Sequence, residues 1–320
     1  MEVKEIYINE LIDKIRSDID NFCNKSDIIS VILTGSLGRD EGTFRLGDAG
    51  ELRLISDIEL ALVYKPGCKR SAKELKQKLI DSYSEEMNPM TISLSRVKNK
   101  YNFNYSFKTP KYSSIFMYDL YNGSKTIWGE DLISSTESVY DKYEAKRIVA
   151  NRIGELIYLK DIVKTDEEQV KQWEGKLLLA IGTAYCIIKN AYMSPYKTQY
   201  KFIMDNKDMV NELIGIEFTS DYETAYNYLR MGSSIYNVEY SRLIVYVDNI
   251  SKLLCSEEYR KPSINSFSRK LKYMVACKRK KVSLNIFKCE TEIIDNLIDY
   301  FRIKDDNLLI YSEYWKKVLY

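Results

Sequence analysis

Apolar and polar positions change rhythm after about residue 138. Before it, short apolar runs alternate with turns; after it, long stretches keep a helical period. Residues 3–22 place Ile6, Leu11, Ile12, Ile15 and Ile19 near that period and predict a first helix. "IISVILT", residues 28–34, reads as a short buried strand. Gly35-Ser36 follows, and "LGRDEG" reads as a turn or the first turn of a short helix. Residues 44–51, with Gly47 and Gly50, read as a polar loop.

Residues 52–64 predict a second strand. Alternation puts Leu54, Ser56, Ile58, Leu60 and Leu62 on one face and Asp57, Glu59, Ala61 and Val63 on the other. "KPGCKR" is a turn, and residues 71–84 a helix on Leu75, Leu79 and Ile80. "MTISLSRVK", 90–98, alternates strictly and predicts a third strand. Residues 113–121 predict a helix, and "KTIWGED", 125–131, a short strand and turn.

Helices are then expected over 142–163, over 167–192 on Val170, Trp173, Leu177, Ile181, Ala184 and Ile188, from Ser194, over 220–230 and over 236–256. The tail from 267 to 318 mixes helix-like and strand-like runs. The expected fold class is mixed α+β. A first domain, 1–137, would hold a small mixed sheet flanked by helices, and a mainly helical domain would span 138–320.

Composition narrows the chemistry. The chain has 320 residues, which suits about two domains, and 45% are hydrophobic, enough for a real core. Charges nearly balance at net +2, so bulk charge does not suggest a nucleic-acid binder, though a local patch such as "CKRKK", 277–281, keeps nucleic acid open as a partner. A solvated helix end is the plainer reading of that run. There is no histidine. Ser-His-Asp and Cys-His catalysis and imidazole zinc sites are therefore excluded. A divalent metal would rest on oxygen ligands, which favours magnesium or manganese. The six cysteines are scattered without a C-x-x-C pair, as in a reduced cytoplasmic chain. The N-terminus reads as a charged amphipathic stretch and not a signal peptide. No window approaches 18 uncharged apolar residues, so no membrane span is expected.

The chemistry sits in "VILTGSLGRDEGTFRLGDAGELRLISDIELALVY", residues 31–64. In a strand, Asp57 and Glu59 point to one side, with α-carbons about 7 Å apart. Two carboxylates that close repel and are costly to bury unless they share a cation. Magnesium binds one or two carboxylates and completes its shell with water and phosphate oxygens. Glycine lets backbone approach a ligand, and N–H groups at a turn bind phosphate. Ser36 adds a hydroxyl. Arg39 adds a fork suited to phosphate, or a salt bridge to Asp40, Glu41 or Asp57.

An apolar strand, Gly-Ser, a spacer and Asp-x-Glu inside a second apolar strand resemble the nucleotidyltransferase superfamily, the DNA polymerase β-like fold. The motifs here are "ILTGS" and "SDIELALV", separated by a spacer of 20 residues between Ser36 and Asp57 that is longer than the family's, with "FRLGDAGELRL" as an insertion. The resemblance is to the bacterial single-substrate type with a helical C-terminal domain. It implies that Gly35 and Ser36 hold the triphosphate and that Asp57 and Glu59 hold the metals. It also implies a third carboxylate, for which strand 90–98 offers none; Asp119 is the first candidate, ahead of Glu41 and Glu130. Lys176, at the start of the long helix's apolar stretch, would reach phosphates or simply face solvent.

The reading is a magnesium- or manganese-dependent enzyme that moves a nucleoside monophosphate, AMP from ATP by preference, to a hydroxyl and releases pyrophosphate. The acceptor would be a small molecule such as an aminoglycoside or sugar intermediate, a protein or an RNA. One alternative is a nucleotide-second-messenger synthase of the bacterial defence type. Another is a non-catalytic nucleotide- or partner-binding module. Trp173 and the tyrosine-rich helices are expected to fill the core.

Overall fold

The computed structural model describes residues 2–22, 27–46, 52–83, 87–93, 97, 113–133, 140–255, 289–304, 307 and 309–316. In chain order the elements are α1 (Glu2–Phe22), β1 (Ile28–Leu33), the one-turn α2 (Gly35–Gly38), β2 (Phe44–Leu46), β3 (Leu52–Leu54), β4 (Ile58–Tyr64), α3 (Lys69–Tyr83) and β5 (Met87–Ser93). Next come α4 (Ser114–Asn122), β6 (Lys125–Gly129), α5 (Glu144–Ile157) with a π-helical extension (Tyr158–Val163), α6 (Glu167–Ile188), α7 (Tyr196–Asp205) and α8 (Lys207–Ile214). The last are α9 (Phe218–Tyr226) with a second π-helical extension (Asn227–Met231), α10 (Tyr240–Leu254), α11 (Cys289–Ile303) and α12 (Ile310–Tyr314). The class is α+β, as the change of rhythm predicts. The expected boundary at 137/138 and the "CKRKK" run lie outside the described residues.

The main sheet has four strands in the order β5-β4-β1-β6. β1 is antiparallel to β4 and β6, with Leu33 opposite Leu60 and Lys125, while β4 runs parallel to β5. Both faces of the sheet are buried, so β1 and β4 are mostly apolar, with Ser30 and Glu59 as the polar exceptions. Val31, Leu33, Ile58, Leu60 and Leu62 pack against α1 and α3 residues, and Ile32, Ala61 and Val63 pack against Met117, Leu120 and Tyr121 of α4. A third, larger core joins α5, α6 and the later helices. Its centre is α6, where every residue from Leu177 to Ile187 is buried. That helix starts cleanly because the Asp166 side chain accepts the Gln169 N–H, with Glu167 and Glu168 in the first turn.

Several expectations need correction. Residues 52–64 form two strands, not one. β3 pairs with β2 in a separate ribbon, so 44–46 is strand where a loop was expected, while 47–51 lie outside the described residues. The Ile55 N–H donates to the Thr43 carbonyl and Ser56 Oγ accepts the Thr43 N–H, so the chain bends out of the ribbon there before entering the main sheet. Asp57 therefore lies in the break and Glu59 inside β4. The strand expected at 90–98 runs from Met87 to Ser93, in register with Ile58–Tyr64. The long helices expected at 142–163 and 220–230 end in π turns, closed by left-handed Lys164 and Gly232.

Candidate active site

The Gly-Ser turn is pinned to the acid strand by backbone geometry. Thr34, the residue after β1, donates its N–H to the Glu59 carbonyl at 2.8 Å. The chain then turns through Gly35 at φ +65°, a conformation that costs an L-residue about 1–2 kcal/mol. The turn brings the Gly35 backbone against the Glu59 side chain: a β-carbon there would stand 1.6 Å from Glu59 Oε2. Glycine is needed for its shape as well as its dihedral freedom. Ser36 follows, buried in α2.

Asp57 is exposed and Glu59 mostly buried. Burial raises the Glu59 carboxyl above its ordinary range; Arg39, Arg152 and Arg230 oppose that rise, and Asp57 adds to it. The two acids therefore act on each other, as the spacing predicts. Among the described residues, no hydrogen bond or close ion pair reaches either carboxylate. Two oxygen-donor groups with open valences fit a hard divalent cation. No group of three or more Asp, Glu, Cys or His gathers among the described residues, so such a cation would take its other ligands from water and substrate.

Arg39 lies at the seam between sheet and helices, 11% exposed, and its Nε is 3.3 Å from Glu41 Oε2. Of the salt bridges expected, the one to Glu41 forms. Glu41 in turn accepts the N–H groups of Tyr196 and Lys197 at 3.0 and 2.6 Å, capping α7 from the sheet side. Asp119 belongs to the same cluster. Burial raises its carboxyl, Arg39 opposes that, and the Tyr192 hydroxyl donates to it at 2.6 Å. Asp119 is thus within electrostatic reach of Arg39 but forms its hydrogen bond with Tyr192. Glu130 is exposed at the end of β6.

The helical half supplies the opposite wall. Lys176 on α6 places its Nζ 3.8 Å from the Trp173 ring centroid, and Arg152 on α5 lies 5.6 Å from the same ring. Trp173 packs against the core, as expected, but it also carries these two cations. Burial pushes Lys176 down to about 8; Arg152 and Arg230 add to this, and Glu155 and Asp57 resist it. Lys176 is therefore largely withdrawn from solvent, within electrostatic reach of Asp57. Arg152 and Arg230 escaped the reading of the sequence, because a single arginine in a helical pattern looks like any solvated face. The one local signal was Gly232 two residues after Arg230, which marks an enforced helix end.

The arrangement sets the glycine-shaped turn against Glu59, with Asp57, Arg39, Arg152 and Arg230 near enough to act on its carboxylate. No family model, curated protein or solved structure matches this chain.

Proposed function

We propose that the chain is a metal-dependent nucleotidyltransferase that moves a nucleoside monophosphate from a nucleoside triphosphate, ATP by preference, to an acceptor hydroxyl. The observation that carries this reading is the seating of the Gly35-Ser36 turn directly on Glu59. It joins a phosphate-binding turn to a pair of carboxylates that have no partners among the described residues.

In this reading Gly35 and Ser36 hold the β- and γ-phosphates through backbone N–H and hydroxyl. Asp57 and Glu59 hold magnesium or manganese. Bound there, the cation would offset charge on the phosphate oxygens and on the entering and leaving oxygens. The acceptor oxygen forms a bond to the α-phosphorus as the bond to the β-phosphate oxygen breaks. Pyrophosphate leaves, and the hydroxyl proton passes to solvent. Lys176 steadies the phosphates from α6. Arg39 orients the turn, with Asp119 as a positioning residue acting through it. The acceptor lies in the cleft between sheet and helices.

The test is pyrophosphate release from each of the four ribonucleoside triphosphates, with magnesium or manganese, across an acceptor panel, for the parent and the Asp57→Asn, Glu59→Gln double variant. Release by the parent alone supports the transferase, and release without acceptor points to a second-messenger synthase. One observation favours a nucleotide-binding module without transfer: Asp119, the expected third acid, is already engaged by Tyr192 and Arg39. Metal-dependent binding of a non-hydrolysable ATP analogue without release by any acceptor selects that reading.

A further inference from the structure

Arg230 has no anion. Among the described residues it forms no ion pair, and its Nε is buried without a hydrogen-bond partner. Its neighbours in the cleft differ. Arg39 pairs with Glu41 and Arg152 with Glu155. A guanidinium held partly out of water with no anion is costly. Stacking on the Tyr196 ring, 4.4 Å from its centroid, offsets part of that cost. Arg39 lies over the same ring at 5.4 Å.

The backbone around Arg230 is clamped. It belongs to the π turn Asn227–Met231, and π turns recur at functional sites. Tyr228 is buried and donates its hydroxyl to Glu168. The Leu229 carbonyl accepts the Thr43 hydroxyl from the sheet side. Gly232, at φ +75°, packs so closely that a β-carbon would stand 2.7 Å from the Phe44 carbonyl oxygen. Residues on both sides of Arg230 are thus tied down, two of them to the segment that leads into Asp57. The result is a pre-placed cation, near enough for its charge to act on Glu59 and Lys176.

We propose that Arg230 is a phosphate ligand. It would take the polyphosphate chain of the substrate by a bidentate contact, with Lys176 and Arg152 completing a cationic wall opposite the Gly35-Ser36 turn. Its assignment to a nucleoside triphosphate rests on the transferase reading, but the anion site itself does not. A guanidinium fork matches two phosphate oxygens, whereas an ammonium offers a single point charge.

The experiment is calorimetric titration of inorganic tripolyphosphate into the full chain in the presence of a metal chelator. The parent is expected to bind, and Arg230→Gln to weaken binding by about tenfold or more, the usual yield of a charge-assisted hydrogen bond. Arg230→Lys should fall between them, and Asp57→Asn should bind at least as tightly as the parent. Thermal unfolding of unliganded Arg230→Gln is expected at or above the parent's temperature, since an unpaired charge has been removed. Unchanged binding by both Arg230 variants overturns the proposal, as does no binding by the parent. A large loss of apo stability in both variants also overturns it, by showing a structural role. Arg230-dependent binding without pyrophosphate release from any triphosphate leaves the anion site standing and sinks the transferase. Release that needs Asp57 and Glu59 but ignores Arg230 does the reverse.

Discussion

The Glu41 carboxylate accepts the Lys197 backbone N–H at 2.6 Å across 156 residues of sequence. One side chain from the segment after the Gly-Ser turn thereby caps a helix of the helical half and neutralises Arg39. The Arg39–Glu41 pair, 11% and 10% exposed, is shielded from water and salt.

Glu41→Ala should therefore cost about 2–3 kcal/mol of stability. It removes a helix cap, worth about 1 kcal/mol, and leaves the Arg39 charge short of an anion. Glu41→Gln, which can still accept from the helix, should recover part of the loss. Urea unfolding of the two variants checks this, and equal stability of Glu41→Ala and the parent would discard the cap.

Gly35→Ala should separate stability from metal binding. The positive φ costs about 1–2 kcal/mol. The new methyl meets the end of the Glu59 side chain, which can swing away. Folding therefore survives while Glu59 leaves its place. Manganese titration followed by electron paramagnetic resonance should show at least about tenfold weaker binding, the scale of one lost charged contact. Parent-like manganese affinity would mean that Glu59 is no ligand.

Lys176 makes stability depend on pH in a stated direction. Its folded value is lowered from 10.5 to about 8, by burial first. Below about 8 both states hold the proton, and the cost of burying it is fully present. Between about 8 and 10.5 the unfolded chain holds a proton that the folded chain has lost, so stability rises with pH across that window. The gain is on the order of 2 kcal/mol. Lys176→Met should abolish the rise in denaturant curves between those limits. Tripolyphosphate, which favours the charged amine, should bind more weakly as pH climbs through about 8. A flat profile in the parent would remove Lys176 from the cleft.

A control lies outside the cleft. Asp221 is 4% exposed and accepts from Arg242 Nη2 at 2.8 Å and from the Tyr246 hydroxyl at 2.7 Å. Asp221→Ala should cost about 3 kcal/mol, because it strands a partly buried charge and a buried hydroxyl. The folded fraction should bind tripolyphosphate like the parent. Weakened binding by the folded fraction would place Asp221 in the site.

The element order was legible because periodicity is local. The short apolar run at 28–33, the alternation at 58–64 and the long helical patterns after 142 are visible without any partner. So was the pairing of a Gly-Ser turn with two acids. Each rests on a few adjacent residues whose geometry follows from backbone rules. The break at Ile55–Asp57 was not legible, since Leu54 through Leu60 alternate as one strand would. Only the bonds from Thr43 to Ile55 and Ser56 show that the chain changes sheets there.

Residue roles in the cleft needed the folded chain for a different reason. Arg39 read as a phosphate fork or a salt-bridge partner of Asp40, Glu41 or Asp57, and the structure pairs it with Glu41, while Asp119 takes the Tyr192 hydroxyl. Arg152 and Arg230 went unremarked in the sequence, and the fold brings their charges near enough to act on Glu59. An isolated charged residue carries no local record of its partner. By itself the sequence determined the class of fold, the turn and the acid pair, because these follow from spacing along the backbone. The tertiary structure alone decided which cations face that pair and which are already neutralised, because charges act through space with no regard for separation along the chain.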